Sequence, residues 1–67
     1  MGQHAVFNRY SGKMMAVCRR YLGVGPDAED ALMEGFMKVF TKIDSFKEDG
    51  SFEGWIRRIM VNECLMK

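Results

Sequence analysis

The sequence predicts an all-α fold, a small bundle of three helices, and three observations carry that prediction. Apolar residues recur at three- and four-residue steps along most of the chain, no stretch of useful length alternates with a period of two, and two glycine-bearing breaks, one ending in proline and one polar, divide the chain into three parts. With 67 residues there is room for one domain spanning 1–67 and for a modest core.

The first helix is expected from about Ala5 to Leu22, with Phe7, Tyr10, Met14, Val17, Cys18 and Tyr21 on one stripe. Gly12 weakens it by about 1 kcal/mol relative to alanine without ending it. Gly23-Val24-Gly25-Pro26 should stop it, glycine accepting left-handed backbone and proline being unable to continue a helix. Asp27 then reads as the cap of the second helix, with Glu29 and Asp30 placed to meet the free amides and the dipole of its first turn. Ala28, Ala31, Leu32, Gly35, Phe36, Val39, Phe40 and Ile43 form its apolar stripe, in which Gly35 calls for the close approach of another helix. Asp44 to Gly50 reads as a loop, Ser51 as a cap and Glu53 as a first-turn acid. Phe52, Trp55, Ile56, Ile59 and Met60 give the buried stripe of the third helix.

Composition excludes several classes. Hydrophobic content of 48% is too high for a disordered tail, and no apolar run approaches the roughly 20 residues needed to span a bilayer. The expected setting is soluble and cytoplasmic, with no membrane partner. Cys18 and Cys64 belong to no ligand spacing and His4 is the single histidine, so no metal or other cofactor is expected. Two reduced, partly buried thiols are the leading expectation and a disulfide staple the minor one. There is no phosphate loop, His-Glu metal pair or nucleophile elbow, and the carboxylates Asp27, Glu29, Asp30 and Glu34 cluster where a helix start explains the first three. The expectation is a binding protein, not an enzyme.

The net charge of +1 conceals a pattern: residues 1–26 sum to +4 with no acid, residues 27–54 to −5 and residues 55–67 to +2. A protein that grips DNA unaided usually carries a basic excess to release counterions from the phosphates. Any DNA contact made by this chain should therefore draw much of its affinity from something else.

The ordered set Asp27-Ala28-Glu29-Asp30-Ala31-Leu32, Glu34-Gly35-Phe36, Asp44-Ser45-Phe46-Lys47, Gly50-Ser51-Phe52-Glu53-Gly54-Trp55-Ile56-Arg57-Arg58-Ile59 and Val61-Asn62 closely resembles region 2 of the extracytoplasmic-function (ECF) group of bacterial RNA polymerase sigma factors. Tyr10-Ser11-Gly12-Lys13-Met14-Met15 and Arg20-Tyr21-Leu22-Gly23 are similar to the same family. The likeness covers nearly the whole chain, and its strength lies in the order and spacing of pieces that are each weak alone.

The resemblance implies a region 2 bundle that docks on the clamp helices of the largest subunit of core RNA polymerase and recognises the minus-ten promoter element as melted non-template strand. Asp30, Met33 and Glu34 would meet polymerase; their helical spacing puts the two acids on one side, away from Leu32, Phe36 and Val39. Composition alone makes that side a solvated acidic face. The loop would be a pocket for a flipped base, with Phe46 at its root and Lys47, Glu48, Asp49, Gly50 and Ser51 as its wall. From residue type alone Phe46 is a core anchor holding a loop down, and the two roles are compatible. Asn62 matches a promoter-contacting position, and Arg58 lies one turn earlier on the same face, suited to a phosphate. Arg57 lies about 100° away around the helix. Trp55, in register with Phe52, Ile56 and Ile59, reads as core and is left out of the DNA set.

Two positions depart from the family's pattern: Met33 stands where glutamine is common and Met37 where a branched aliphatic is usual. Methionine cannot donate the amide hydrogen bonds, but seven methionines offer a soft, adaptable surface. Relative to the family the bundle looks truncated at both ends, without a first short helix, the basic continuation of the third helix or the helix-turn-helix region 4. The uncovered apolar surface predicts self-association. An anti-sigma factor is a further partner that the resemblance implies. Two other readings remain: a helical protein–protein adaptor with no DNA role, and an independent helix-turn-helix repressor. The weak net charge and the long loop count against the latter.

Overall fold

A computed structural model describes residues 3–46 and 50–66, and three helices account for most of them: α1 (Gln3–Leu22), α2 (Pro26–Lys42) and α3 (Phe52–Leu65). A single 3-10 turn, Ile43–Ser45, follows α2, and there is no strand among the described residues. Each helix packs on the other two. The fold is the all-α, three-helix arrangement that the periodicity predicts.

The connection between α1 and α2 corrects one expectation. Pro26 does not merely stop α1; it is the first residue of α2, where its missing N–H costs nothing and its fixed φ suits a helix. The N-cap therefore falls to Gly25, at φ 154°, with no side-chain cap, and Asp27 sits inside the first turn beside Glu29. Both acids act there through charge at the positive end of the helix instead of through a capping bond. Gly23, at φ 77°, closes α1 by donating its N–H to the Arg19 carbonyl at 2.8 Å. Ser51 caps α3 as expected, its Oγ accepting from the Gly54 N–H at 3.1 Å.

Side chains from all three helices meet in one core. Val6, Met14 and Cys18 of α1, Ala28, Ala31, Leu32, Phe36 and Val39 of α2, and Ile56, Met60 and Cys64 of α3 are buried. The expected stripes of α2 and α3 hold in their middles, but in α1 Val17 is half-buried and stands outside the set packed on the core; the ends of α1 and α2 depart as well. Tyr21 is exposed because α1 ends one residue later and the half-buried Leu22 makes the last contact with the core; Ile43 is likewise exposed where α2 gives way to the 3-10 turn. Val6, outside the expected stripe, is buried in its place at the start of α1. Gly35 does face a close approach, by a side chain: a Cβ there would collide with Sδ and Cε of the buried Met60.

Two features of the interior were not apparent from spacing. Glu63 is a buried carboxylate, 3% exposed, held by Lys38 Nζ at 2.9 Å across α2 and α3. Cys18 and Cys64 are both buried and free. Burial, aided by the neighbouring Cys64, pushes the Cys18 thiol up to about 12, so it stays protonated and unreactive near neutrality.

Candidate nucleic-acid and polymerase interfaces

The loop that enters α3 is fastened by aromatic rings. Phe46 has extended backbone and donates its N–H to the Ile43 carbonyl at 3.2 Å, which turns its ring back toward the bundle. There it meets Phe52 at 5.1 Å and Trp55 at 5.2 Å between ring centroids, while Phe52 and Trp55 stack at 5.7 Å. Tyr10 of α1 adds an edge contact to Phe52 at 5.8 Å. Four aromatics thus tie the end of the loop to α1 and α3, in geometries that aromatic pairs favour.

Beside this cluster lies an open cleft of about 380 Å³, lined by Ser45, Phe46, Gly50, Ser51, Gly54, Trp55 and Arg58. Of the residues assigned to DNA, Phe46, Gly50, Ser51 and Arg58 come together here. Asn62 is exposed one turn beyond Arg58 on α3 but does not line the cleft. Lys47, Glu48 and Asp49 lie outside the described residues. Trp55, read from the sequence as core, is half-buried: it packs on the core with part of its ring and lines the cleft as well. Its neighbours in sequence carried the missed signal, since a tryptophan four residues after a capping serine shares its helical face and tilts back toward the helix start.

The second assigned surface is on α2. Asp30, Met33 and Glu34 are exposed on one face, with Met33 at 57% exposure, and Met37 continues the face at 66%. Along its edge runs an open, mainly apolar groove of about 400 Å³ between α2 and the end of α3, lined by Glu34, Met37, Lys38, Thr41, Lys42, Glu63 and Met66. The Lys38–Glu63 pair lies within it. Among the described residues no group of three or more His, Cys, Asp or Glu is placed to hold a metal ion. No helix among them is long and apolar enough to cross a membrane.

A family model described as Sigma-70 region 2 matches residues 6–67. The chain belongs to the sigma-70 region 2 family. Among curated proteins it is 37% identical over 65 residues to the ECF RNA polymerase sigma-E factor of Escherichia coli (strain K12), and equally to that of Salmonella typhi, covering 91% of this chain and 34% of each relative. It is 38% identical over 53 residues to the ECF RNA polymerase sigma factor SigW of Bacillus subtilis (strain 168), covering 79% of this chain and 28% of the relative. The chain therefore spans about a third of the length of the curated relatives it matches. No solved structure matches it. The ECF likeness read from the ordered motifs agrees with these relatives.

Proposed function

We propose that this chain acts in transcription initiation as a sigma factor region 2 domain, by binding and not by catalysis. The α2 face of Asp30, Met33, Glu34 and Met37 docks on the clamp helices of core RNA polymerase. The cleft at the head of α3 then receives a base unstacked from the non-template strand of the minus-ten element. The observation that carries this reading is the convergence in one cleft of two aromatic rings, the polar Ser45 and Ser51, backbone at Gly50 and Gly54, and the Arg58 guanidinium. Aromatics stack on any base, backbone and hydroxyl groups read its edge, and an arginine at the rim takes a phosphate. The modest net charge fits a domain that meets DNA mainly once polymerase holds it there. The cytoplasm is the compartment this role requires. The exposed Met33, Met37, Leu65 and Met66 support self-association of the chain when no partner covers them, which light scattering at rising concentration tests.

A pull-down with a clamp-helix fragment, paired with fluorescence anisotropy on single-stranded minus-ten and scrambled oligonucleotides, tests the reading. Clamp binding that falls on Asp30→Ala, with a minus-ten preference that falls on Phe46→Ala, is the expected result. Clamp binding with no strand preference would return the chain to a protein–protein adaptor. Tight duplex binding without polymerase would return it to a repressor.

A further inference from the structure

Arg57 and Arg58 are consecutive on α3 and so point about 100° apart. Arg58 lines the loop cleft; Arg57 lines a different groove, of about 290 Å³, between α3 and α1. Across that groove α1 presents Lys13, Ala16, Val17 and Arg20, which share one helical face at steps of three and four residues. The small Ala16 and the half-buried Val17 form a low floor between longer cationic walls.

The charges there are unevenly satisfied. Lys13 Nζ is held at 3.0 Å by Glu53 from the first turn of α3, in a solvent-exposed pair that water and salt weaken. Arg20 and Arg57 are exposed and have no ion pair among the described residues. No acid occurs in residues 1–26, so α1 brings nothing of opposite sign to the groove. Two guanidinium groups flanking an open concavity, each a rigid fork of donors, suit the planar pairs of oxygens on a phosphate.

We propose that this α1–α3 groove is a second nucleic-acid site, which takes the sugar–phosphate backbone of a DNA strand without preference for its bases. It rests on the reading of the chain as a DNA-contacting domain and adds a contact separate from the loop cleft. Arg20 and Arg57 hold phosphate oxygens, and Lys13 joins them by exchanging Glu53 for the strand. The α3 helix thereby carries a cation on each flank, one serving the base-reading cleft and one serving backbone alone.

The test measures affinity of the 67-residue chain for a mixed-sequence single-stranded oligonucleotide across a salt series, starting at low ionic strength. On single strands, each phosphate that the protein no longer neutralises lowers the slope of log affinity against log salt by about 0.7. The double variant Arg20→Ala/Arg57→Ala should therefore reduce the slope by about 1.4, equally for every base composition. Arg20→Lys/Arg57→Lys should keep the slope, and circular dichroism should find all variants folded, because both side chains are exposed. Arg9→Ala/Arg19→Ala removes the same charge from other exposed positions and should change the slope far less. An equal reduction in that control would overturn the proposal in favour of bulk charge. An unchanged slope in the Arg20/Arg57 double variant, or no binding by the parent chain at low salt, would overturn it outright. So would tighter binding of a poly-glutamate peptide than of an oligonucleotide of equal charge, abolished in the same double variant, which would give the groove to an acidic protein segment. Loss of minus-ten preference in Phe46→Ala reports on the cleft alone, so failure of the base-reading function and failure of the groove are distinguishable.

Discussion

The two candidate interfaces are built in opposite ways. The cleft at the head of α3 is concave, its aromatic walls are wedged against Phe52, which Tyr10 backs in turn, and its rim is set by a capped helix start. The α2 face is open, and two of its four residues are methionines more than half exposed. A cleft whose side chains are already immobilised by packing loses little entropy on binding and can discriminate. A surface of exposed, unbranched side chains adapts its shape to a partner and discriminates less. If both surfaces act as proposed, recognition in the cleft is inseparable from folding, whereas docking through α2 is nearly independent of it.

The largest effect should come from Trp55, which belongs to core and cleft together. Trp55→Ala is expected to destabilise the chain by about 3 kcal/mol and to abolish oligonucleotide preference. Trp55→Phe should recover most of the stability. If it also restores full preference, ring stacking alone explains the cleft; if preference stays low, the indole is part of the reading surface. Urea unfolding read by circular dichroism gives the stability difference, since the variants remove the fluorophore.

Phe46→Ala is next. Its half-buried ring anchors the loop against Phe52 and Trp55, so a loss of about 2 kcal/mol is expected together with loss of base preference. Ser51→Ala removes the bond to the Gly54 N–H and should cost about 1 kcal/mol, fraying the α3 start and weakening preference in proportion. Unchanged preference in a measurably destabilised Ser51→Ala variant would break the coupling between folding and recognition argued for this cleft.

How far these features could be read from sequence follows the physics of each. Helical stripes are legible because burial imposes a period, and the core positions from Ala28 to Val39 and from Ile56 to Met60 lie where the period puts them. Ends are less legible: whether Pro26 closes one helix or opens the next depends on Gly25 adopting positive φ, which composition permits but does not dictate. Glu63 was hidden because a carboxylate in a buried register looks like an error in the pattern until Lys38, 25 residues away, is seen to hold it. Trp55 was half legible, since its register assigns the buried edge of the ring and says nothing about the edge facing the loop. The α2 face could be assigned only by resemblance, because exposed acids and methionines look the same whether a partner covers them or water does.

On α2 the predicted effects on stability are small and those on docking selective. Asp30→Ala removes an exposed charge beyond the first turn, so stability should move by no more than about 0.5 kcal/mol. Clamp-fragment affinity should nevertheless fall about tenfold, a decrease of about 1.4 kcal/mol in binding. A comparable loss of stability and affinity would mean that this face, like the cleft, is structurally committed.

Met33→Gln should produce the smallest change and sharpen the contrast most. Met33 is 57% exposed, and glutamine has the same chain length and nearly the same helix propensity, so folding should be unaffected. Its amide supplies the donor that methionine lacks, at a position where the resemblance to the ECF pattern leads to an expectation of glutamine. If α2 docks through directed hydrogen bonds, clamp affinity rises several-fold in the variant, with a slower off-rate. If it docks through soft apolar contact, affinity falls slightly and the methionine is the better residue for this surface. Surface plasmon resonance on an immobilised clamp fragment separates the two. The second outcome would make the departure at Met33 part of an adaptable interface that continues through Met37 into the apolar groove beside it, a surface that tolerates change at single positions because no single contact defines it.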